Sequence, residues 1–280
     1  MKNWLVTGGE GFIGGRIARA TGATLYDLKS AKDILDTQEL LQACGDVDGI
    51  FHCAAKISVP ESFREPEEYH LHNVQGTASV TRAAKARNAK VVFSSSAAVY
   101  GESDTPVRET DALHPMSPYA QNKKDGEALL KESGIPYAVL RYFNVYGPGQ
   151  SAAYAGVITM FIHSALRNED LVIYGDGTQV RDFVYVDDVV AANIRAMESE
   201  GISGETFNIG SGTMTSIGQL AEEIIRLTGS GSRITYKSAR EGDIVYSQAD
   251  VSMATNILNW KASVSLTEGL ERTIESYRDV

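Results

Sequence analysis

Trp4-Leu5-Val6-Thr7-Gly8-Gly9-Glu10-Gly11-Phe12-Ile13-Gly14 is an apolar run that breaks directly into glycines spaced three apart. It reads as strand, tight turn and helix. Glycines at 8, 11 and 14 let the backbone turn sharply, admit a pyrophosphate against bare N–H groups and seat the helix close on the strand. The helix N-terminus adds positive potential. A purely structural turn would use the same glycines, so this stretch decides the fold before it decides any chemistry.

Outward from it, short β-branched or apolar runs alternate with helical periodicity as far as Tyr142. That pattern predicts an α/β fold, a doubly wound parallel sheet with helices on both faces. Strands are expected over 4–7, 23–26, 49–53, 90–95 and 137–142. Helices are expected to begin near Phe12, Thr37, Pro66 and Ser117, the last with a cap residue followed by proline at the first helical position. Only Leu28 to Lys32 separates the second strand from Asp33-Ile34-Leu35-Asp36, so any third strand there is vestigial. After the loop Gly147-Pro148-Gly149-Gln150, shorter elements follow: a helix over 156–168, strands over 171–174 and 181–185, a helix over 187–197, and helices from near Ile217, Ser252 and Leu266. The expected division is a sheet domain over 1–146 and a smaller mixed α/β unit over 147–280. The segment 178–198 is the one piece of the second half placed to rejoin the sheet. The cleft between the units is the natural ligand site.

Of 280 residues, 43% are hydrophobic and 22% charged, an ordinary globular composition. No run approaches the roughly 18 apolar residues of a membrane span, and the N-terminus carries no leader pattern, so a cytoplasmic protein is expected. Two cysteines, Cys44 and Cys53, make neither a disulfide framework nor a four-ligand zinc site, and both are expected as buried thiols. A net charge of -10 with no basic cluster argues against nucleic acid. Anionic ligands would have to be held by a few placed arginines and backbone amides, which draws attention to Arg181 and Arg240.

Asp27 ends the second strand 19 positions after Gly8, where a carboxylate accepts the ribose hydroxyls of an adenosine and favours NAD over NADP. An aspartate that merely turns the chain fits there too. Tyr119-Ala120-Gln121-Asn122-Lys123 puts phenol and ammonium on one helix face. As a base near neutrality, a tyrosine needs its pKa lowered by about three units, part of which a neighbouring Lys⁺ supplies. On an exposed helix such a pair is also an ordinary amphipathic contact. Ser94-Ser95-Ser96 ends an apolar strand where open sheets bind ligands, so one hydroxyl is placed to relay a proton; turn capping uses the same groups. His52, His70 and His72 lack metal-ligand spacing, and no Gly-x-Ser-x-Gly elbow is present. Asp187-Asp188 reads as capping at a helix start.

Taken with His52-Cys53-Ala54-Ala55, Asn73-Val74-Gln75-Gly76-Thr77, Ser94 through Gly101, Ser117-Pro118-Tyr119 with Lys123, Arg141 through Pro148, Arg181-Asp182-Phe183 and Arg240-Glu241-Gly242-Asp243, the chain resembles the extended short-chain dehydrogenase/reductase family. Within it the likeness is to nucleotide-sugar epimerases of the UDP-glucose 4-epimerase type. The resemblance implies a Rossmann sheet binding NAD, a smaller C-terminal nucleotide-sugar-binding unit, and Ser96, Tyr119 and Lys123 as the catalytic trio. It implies cofactor contacts at Gly8, Gly11, Phe12, Ile13, Gly14, Asp27, Asp33, Ile34, Cys53, Ala54, Ala55, Asn73 and Tyr142, with Tyr119 and Lys123 also touching the cofactor.

A UDP-sugar is the implied substrate, its nucleotide diphosphate held by Asn144, Arg181, Arg240 and Asp243. The small Ser247 implies room for N-acetylated sugars. A homodimer through helices spanning 69–87 and 119–130 is implied as well. Ala97 and Ala98 stand where the family's dehydratases carry an acidic pair, so dehydration is disfavoured. The short stretch through Asp33 to Asp36 resembles 4-keto reductases and keeps that activity as an alternative, as is a non-catalytic NAD-binding protein.

Overall fold

The computed structural model describes residues 2–150, 156–239 and 244–278. From the N-terminus run β1 (Trp4–Thr7), α1 (Gly14–Thr21), β2 (Thr24–Tyr26), α2 (Thr37–Ala43), β3 (Gly49–His52), α3 (Val59–Arg64) and α4 (Pro66–His70). A π-helical turn, Leu71–Gln75, leads into α5 (Gly76–Arg87), followed by β4 (Lys90–Ser96), α6 (Pro118–Ser133) and β5 (Tyr137–Tyr142). Successive strand residues face opposite sides, and here both sides are apolar. Val6, Phe51, Val92 and Leu140 join one core, and their neighbours Leu5, Ile50, Val91 and Val139 join another beneath α2, α5 and α6. Fully burying each such side chain contributes about 1.5–3 kcal/mol.

The second half supplies β6 (Asn144–Tyr146), α7 (Val157–Leu166), β7 (Leu171–Tyr174), β8 (Val180–Arg181), β9 (Phe183–Tyr185), α8 (Val186–Glu198) and β10 (Glu205–Ile209). It ends with β11 (Thr215–Ser216), α9 (Ile217–Thr228), β12 (Ile234–Lys237), β13 (Tyr246–Ser247), α10 (Ser252–Ile257) and α11 (Leu266–Arg278). The parallel sheet is six strands wide in the order β10-β5-β4-β3-β1-β2. Strand order reverses between β1 and β3, which opens a crevice at their carboxyl ends. Short sheets β11-β8-β13, β12-β7 and β6-β9 carry the rest. A further apolar core, with Phe161, Leu171, Leu220 and Leu270, fills this part, and Phe12 and Ile13 of the glycine turn pack against it. No helix among the described residues is long and apolar enough to cross a membrane.

Several expectations change. The sixth strand, Glu205–Ile209, is not among the expected ones, although Thr206 to Ile209 alternate polar and apolar; it pairs in parallel with Tyr137–Tyr142. The strand read over 181–185 is two, because Asp182 turns inward and sends Arg181 and Phe183 into different sheets. Asp33 to Asp36 forms a turn and then caps α2 through the Asp36 side chain. Asp187 and Asp188 do not cap α8. Asp187 meets Arg16, and the Asp188 carboxylate accepts the backbone N–H groups of Ser263 and Val264 at 3.0 and 3.1 Å, pinning the distant segment before α11. Cys44 is buried as expected; Cys53 is half-buried as a residue, with its thiol turned inward against Ser94.

The glycine turn is set by contact. Gly8 has φ +68, and a Cβ on Gly14 would lie 2.2 Å from the Gly8 carbonyl oxygen. Because that neighbour is backbone, Gly14→Ala is expected to cost about 2–3 kcal/mol, a fall of roughly 3–5 °C in thermal midpoint. Gly9→Ala is the comparison: its Cβ would press first on the movable Leu25 side chain, and thermal melting should show the smaller loss.

Candidate active site

The carboxyl ends of β1, β3, β4 and β5 gather the residues singled out from the sequence. At β1, no side chain caps the N-terminus of α1, and a Cβ on Gly11 would meet nothing nearer than the Gly8 oxygen at 3.1 Å. The turn is therefore a cradle of backbone N–H groups with an open outer face, suited to a diphosphate. Asp27 follows β2; its two carboxylate oxygens accept the N–H groups of Glu10 and Lys29 at 2.9 Å each. Each oxygen keeps a second lone pair, so a ribose diol fits without breaking either bond. These features fit a dinucleotide.

Beside the cradle stands the segment after β3. A Cβ on Gly8 would lie 2.7 Å from the Ala54 nitrogen, so the turn and Cys53-Ala54-Ala55 touch. His52, nearly inaccessible, holds this wall. Its Nε2 meets the Thr77 hydroxyl at 2.9 Å, and that hydroxyl donates onward to the Asn73 carbonyl at 2.6 Å. Nε2 is therefore the donor, and Nδ1 accepts from Thr7 at 2.8 Å. Burial lowers the His52 pKa to about 3, so the ring stays neutral and structural. Among the described residues no group of three His, Cys, Asp or Glu side chains is placed to hold a metal ion.

Asn73 sits in the π-helical turn with its amide committed to Lys56, accepting its N–H at 2.8 Å and donating to its carbonyl at 2.9 Å. Ile34 is buried against Gly76, and the Asp33 carboxylate accepts the Leu35 N–H. These three shape the loops around the cradle through internal contacts.

Across the sheet, the Ser117 side chain caps α6 by accepting the Ala120 N–H, with Pro118 at the first helical position. That start puts Tyr119 and Lys123 over the end of β4. Lys123 is buried, donates Nζ to the Ser94 carbonyl at 2.6 Å, and lies 5.1 and 5.9 Å from the Phe93 and Tyr119 ring centres. Burial lowers its pKa to about 8. Burial holds the Tyr119 phenol above its ordinary value, and a hydrogen bond with Ser96 opposes this in part. Ser96 also accepts the Ala98 N–H, so its hydroxyl is held at the strand end. Beneath the trio, the Ser94 hydroxyl lies 3.3 Å from the Cys53 sulfur and 3.0 Å from the Tyr142 hydroxyl, which donates to Asn193 Oδ1. The Cys53 thiol is pushed up to about 11 by burial.

The smaller unit brings three further candidates together. Ser247 on β13 is the register partner of Arg181 on β8, and Asn144 donates its side-chain amide to the Asp182 carbonyl at 3.0 Å. Arg181 donates to the Val180 carbonyl at 2.9 Å. Arg240 and Asp243 lie outside the described residues. Asp182, quoted only as part of a motif, is the anchor of this cluster: fully buried, it accepts the N–H groups of Ser211, Gly212 and Ala249 and the Ser211 hydroxyl. Glu127 was passed over as well, although it repeats the four-residue step from Tyr119 to Lys123.

Known proteins resemble the chain in sequence and fold. Residues 4–210 match the model of the NAD dependent epimerase/dehydratase family. A putative UDP-glucose 4-epimerase of Methanocaldococcus jannaschii is 36% identical, covering 96% of each chain. A UDP-N-acetyl-alpha-D-glucosaminuronate decarboxylase of Bacillus cytotoxicus is 34% identical over 100% of this chain and 98% of its own. The crystal structure of the UDP-glucose 4-epimerase of Thermotoga maritima with UDP-glucose superimposes with a TM-score of 0.92 at 37% identity, covering 99% of both chains. With a glycine turn, an aspartate after β2 and a Ser-Tyr-Lys cluster on one crevice, and with residues 4–210 matched, the chain belongs to the NAD dependent epimerase/dehydratase family.

Proposed function

We propose that this enzyme interconverts the C4 epimers of a UDP-sugar, such as UDP-glucose and UDP-galactose, through a transient 4-keto sugar. The observation that carries the reading is Tyr119 bonded to Ser96 and packed by Lys123 at the strand ends, across the crevice from the glycine cradle. The cradle and Asp27 would hold NAD, which supplies the two-electron oxidation of C4 and its reversal, and a positive charge near the phenol while oxidised. Tyr119, as phenolate, takes the proton of the 4-hydroxyl through the Ser96 hydrogen bond and later returns one to the other face. Lys123 favours the phenolate by its charge. Arg181 and Asn144 grip the diphosphate end while the sugar turns, and Ser247 leaves space for an N-acetyl group beside Arg181. The outer faces of α5 and α6, with a groove bordered by Ala78, Arg82, Leu129 and Glu132, are the surface for pairing with a second copy.

The test is to incubate the protein with UDP-glucose without added reductant and follow UDP-galactose by NMR. A product needing stoichiometric reduced cofactor would point to a 4-keto reductase. A second reading is favoured by the decarboxylase relative, since a 4-keto uronate loses carbon dioxide readily. UDP-glucuronate in the same assay separates them, by a 4-epimer or by a pentose product.

A further inference from the structure

Under the Tyr119 and Lys123 face runs a buried polar chain that the reading above does not use. Ser95 lies between Ser94, whose carbonyl holds Lys123, and Ser96, which meets Tyr119; its own hydroxyl donates to Glu127 Oε1 at 2.5 Å. Glu127 stands four residues after Lys123, one turn along the same face of α6. From β5, Arg141 is the register partner of Ser95 and donates Nε and Nη2 to the two Glu127 oxygens at 3.0 and 2.6 Å. Its remaining nitrogen donates to the Tyr100 hydroxyl at 2.8 Å. The two side chains are 6% and 10% exposed. Burying an ion pair gains little net stability over apolar side chains of the same volume, so the pair points to another task.

We propose that Glu127, clamped by Arg141, is a positioning residue for proton transfer: it ties β4 to α6 so that Ser96 meets Tyr119, and its charge keeps Lys123 protonated. The proposal rests on the roles given to Tyr119 and Lys123 above. Among the described residues, the groups facing Lys123 are His52 and Cys53 from the end of β3, Phe93 and the Ser94 carbonyl from β4, and Tyr119 and Glu127 from its own helix, with Arg141 of β5 behind Glu127. Burial pushes Lys123 down to about 8, and Cys53 and Glu127 oppose this. His52 is neutral, and the Cys53 thiol at about 11 is neutral near pH 7. Glu127 is thus the standing negative charge in the set.

Glu127→Gln keeps the shape and the acceptor for Ser95 while removing the charge. Activity is lost as pH rises through the Lys123 pKa, and losing a nearby anion lowers that pKa. The alkaline limb of kcat should move about one pH unit lower, so that kcat near about pH 9 falls roughly tenfold. KM for the nucleotide sugar should hold within about twofold, since Arg181 and Ser247 lie on another sheet. Glu127→Asp, which keeps the charge, should restore the limb. A wild-type limb in folded Glu127→Gln, or a loss equal at every pH, overturns the proposal.

Because Arg141 would be left buried without its partner, the Glu127→Met/Arg141→Met variant is measured alongside; it removes both charges, so its limb should move in the same direction by less. If neither variant folds, the pair is structural and the proposal is overturned. Tyr119→Phe in the same assay separates the failures. If it stays active, the reading beneath the proposal falls with it; if it is inactive while Glu127→Gln behaves as wild type, the positioning role alone falls.

Discussion

Replacing Tyr119 with phenylalanine is expected to lower kcat for epimerisation by about 10³-fold, within the range that positioned acid–base groups contribute. The ring stays, so its contact with Lys123 and the packing of α6 persist. The variant should melt within a few degrees of the parent, and KM should change little. The sign of the pH dependence gives a second readout. Burial raises the phenol pKa, whereas the positive charges of Lys123 and of an oxidised nicotinamide, once bound, would lower it. The phenolate is the active form, so wild-type kcat should rise with pH through the phenol ionisation before it falls through that of Lys123. The residual rate of Tyr119→Phe should lack this limb. A variant retaining more than about a tenth of wild-type kcat would remove Tyr119 from the role of base.

Asp182→Ala is expected to damage both stability and substrate binding. The substitution strips the acceptor from three backbone N–H groups and one hydroxyl in a fully buried place. With each unsatisfied donor costing about 1–3 kcal/mol, and some relaxing toward water, the loss should be near 4 kcal/mol. There is no slack to absorb it: a Cβ on the adjoining Gly210 would already lie 2.7 Å from the carboxylate. Arg181 precedes Asp182, and Ser247 is two residues before Ala249, whose N–H the carboxylate holds. Loosening that anchor should raise KM for the nucleotide sugar by about 10–100-fold, with a smaller change in kcat. Thermal melting and steady-state kinetics read the two effects. An unchanged KM in a folded variant would show that Asp182 serves the fold alone.

How far these places were legible differs with the range of the interaction. The strand, glycine turn and helix at Trp4 to Thr21, the Ser117-Pro118 start of α6, and the apolar alternation of five strands are fixed by neighbours a few residues apart, and all were readable. The edge strand Glu205–Ile209 was not. Its alternation covers only Thr206 to Ile209, too short to decide between strand and loop, and it is a strand because Tyr137–Tyr142 offers an unpaired edge. The acidic pair 187–188 was read as capping because local rules see only the helix start, whereas the actual partners are Arg16 and residues 75 and 76 positions further along.

The sequence by itself determined the doubly wound class and the glycine turn, and it singled out the side chains proposed for acid–base chemistry, because spacing on one strand or helix face is a local property. Tertiary structure decided what backs those groups. Asp182 reaches Ser211 and Gly212 some 29 and 30 residues away and Ala249 some 67 away, and Glu127 meets Ser95 and Arg141 from different strands. No local pattern encodes such partners. A buried carboxylate is stable only where folding collects enough donors around it, so its place follows from the packing of distant segments.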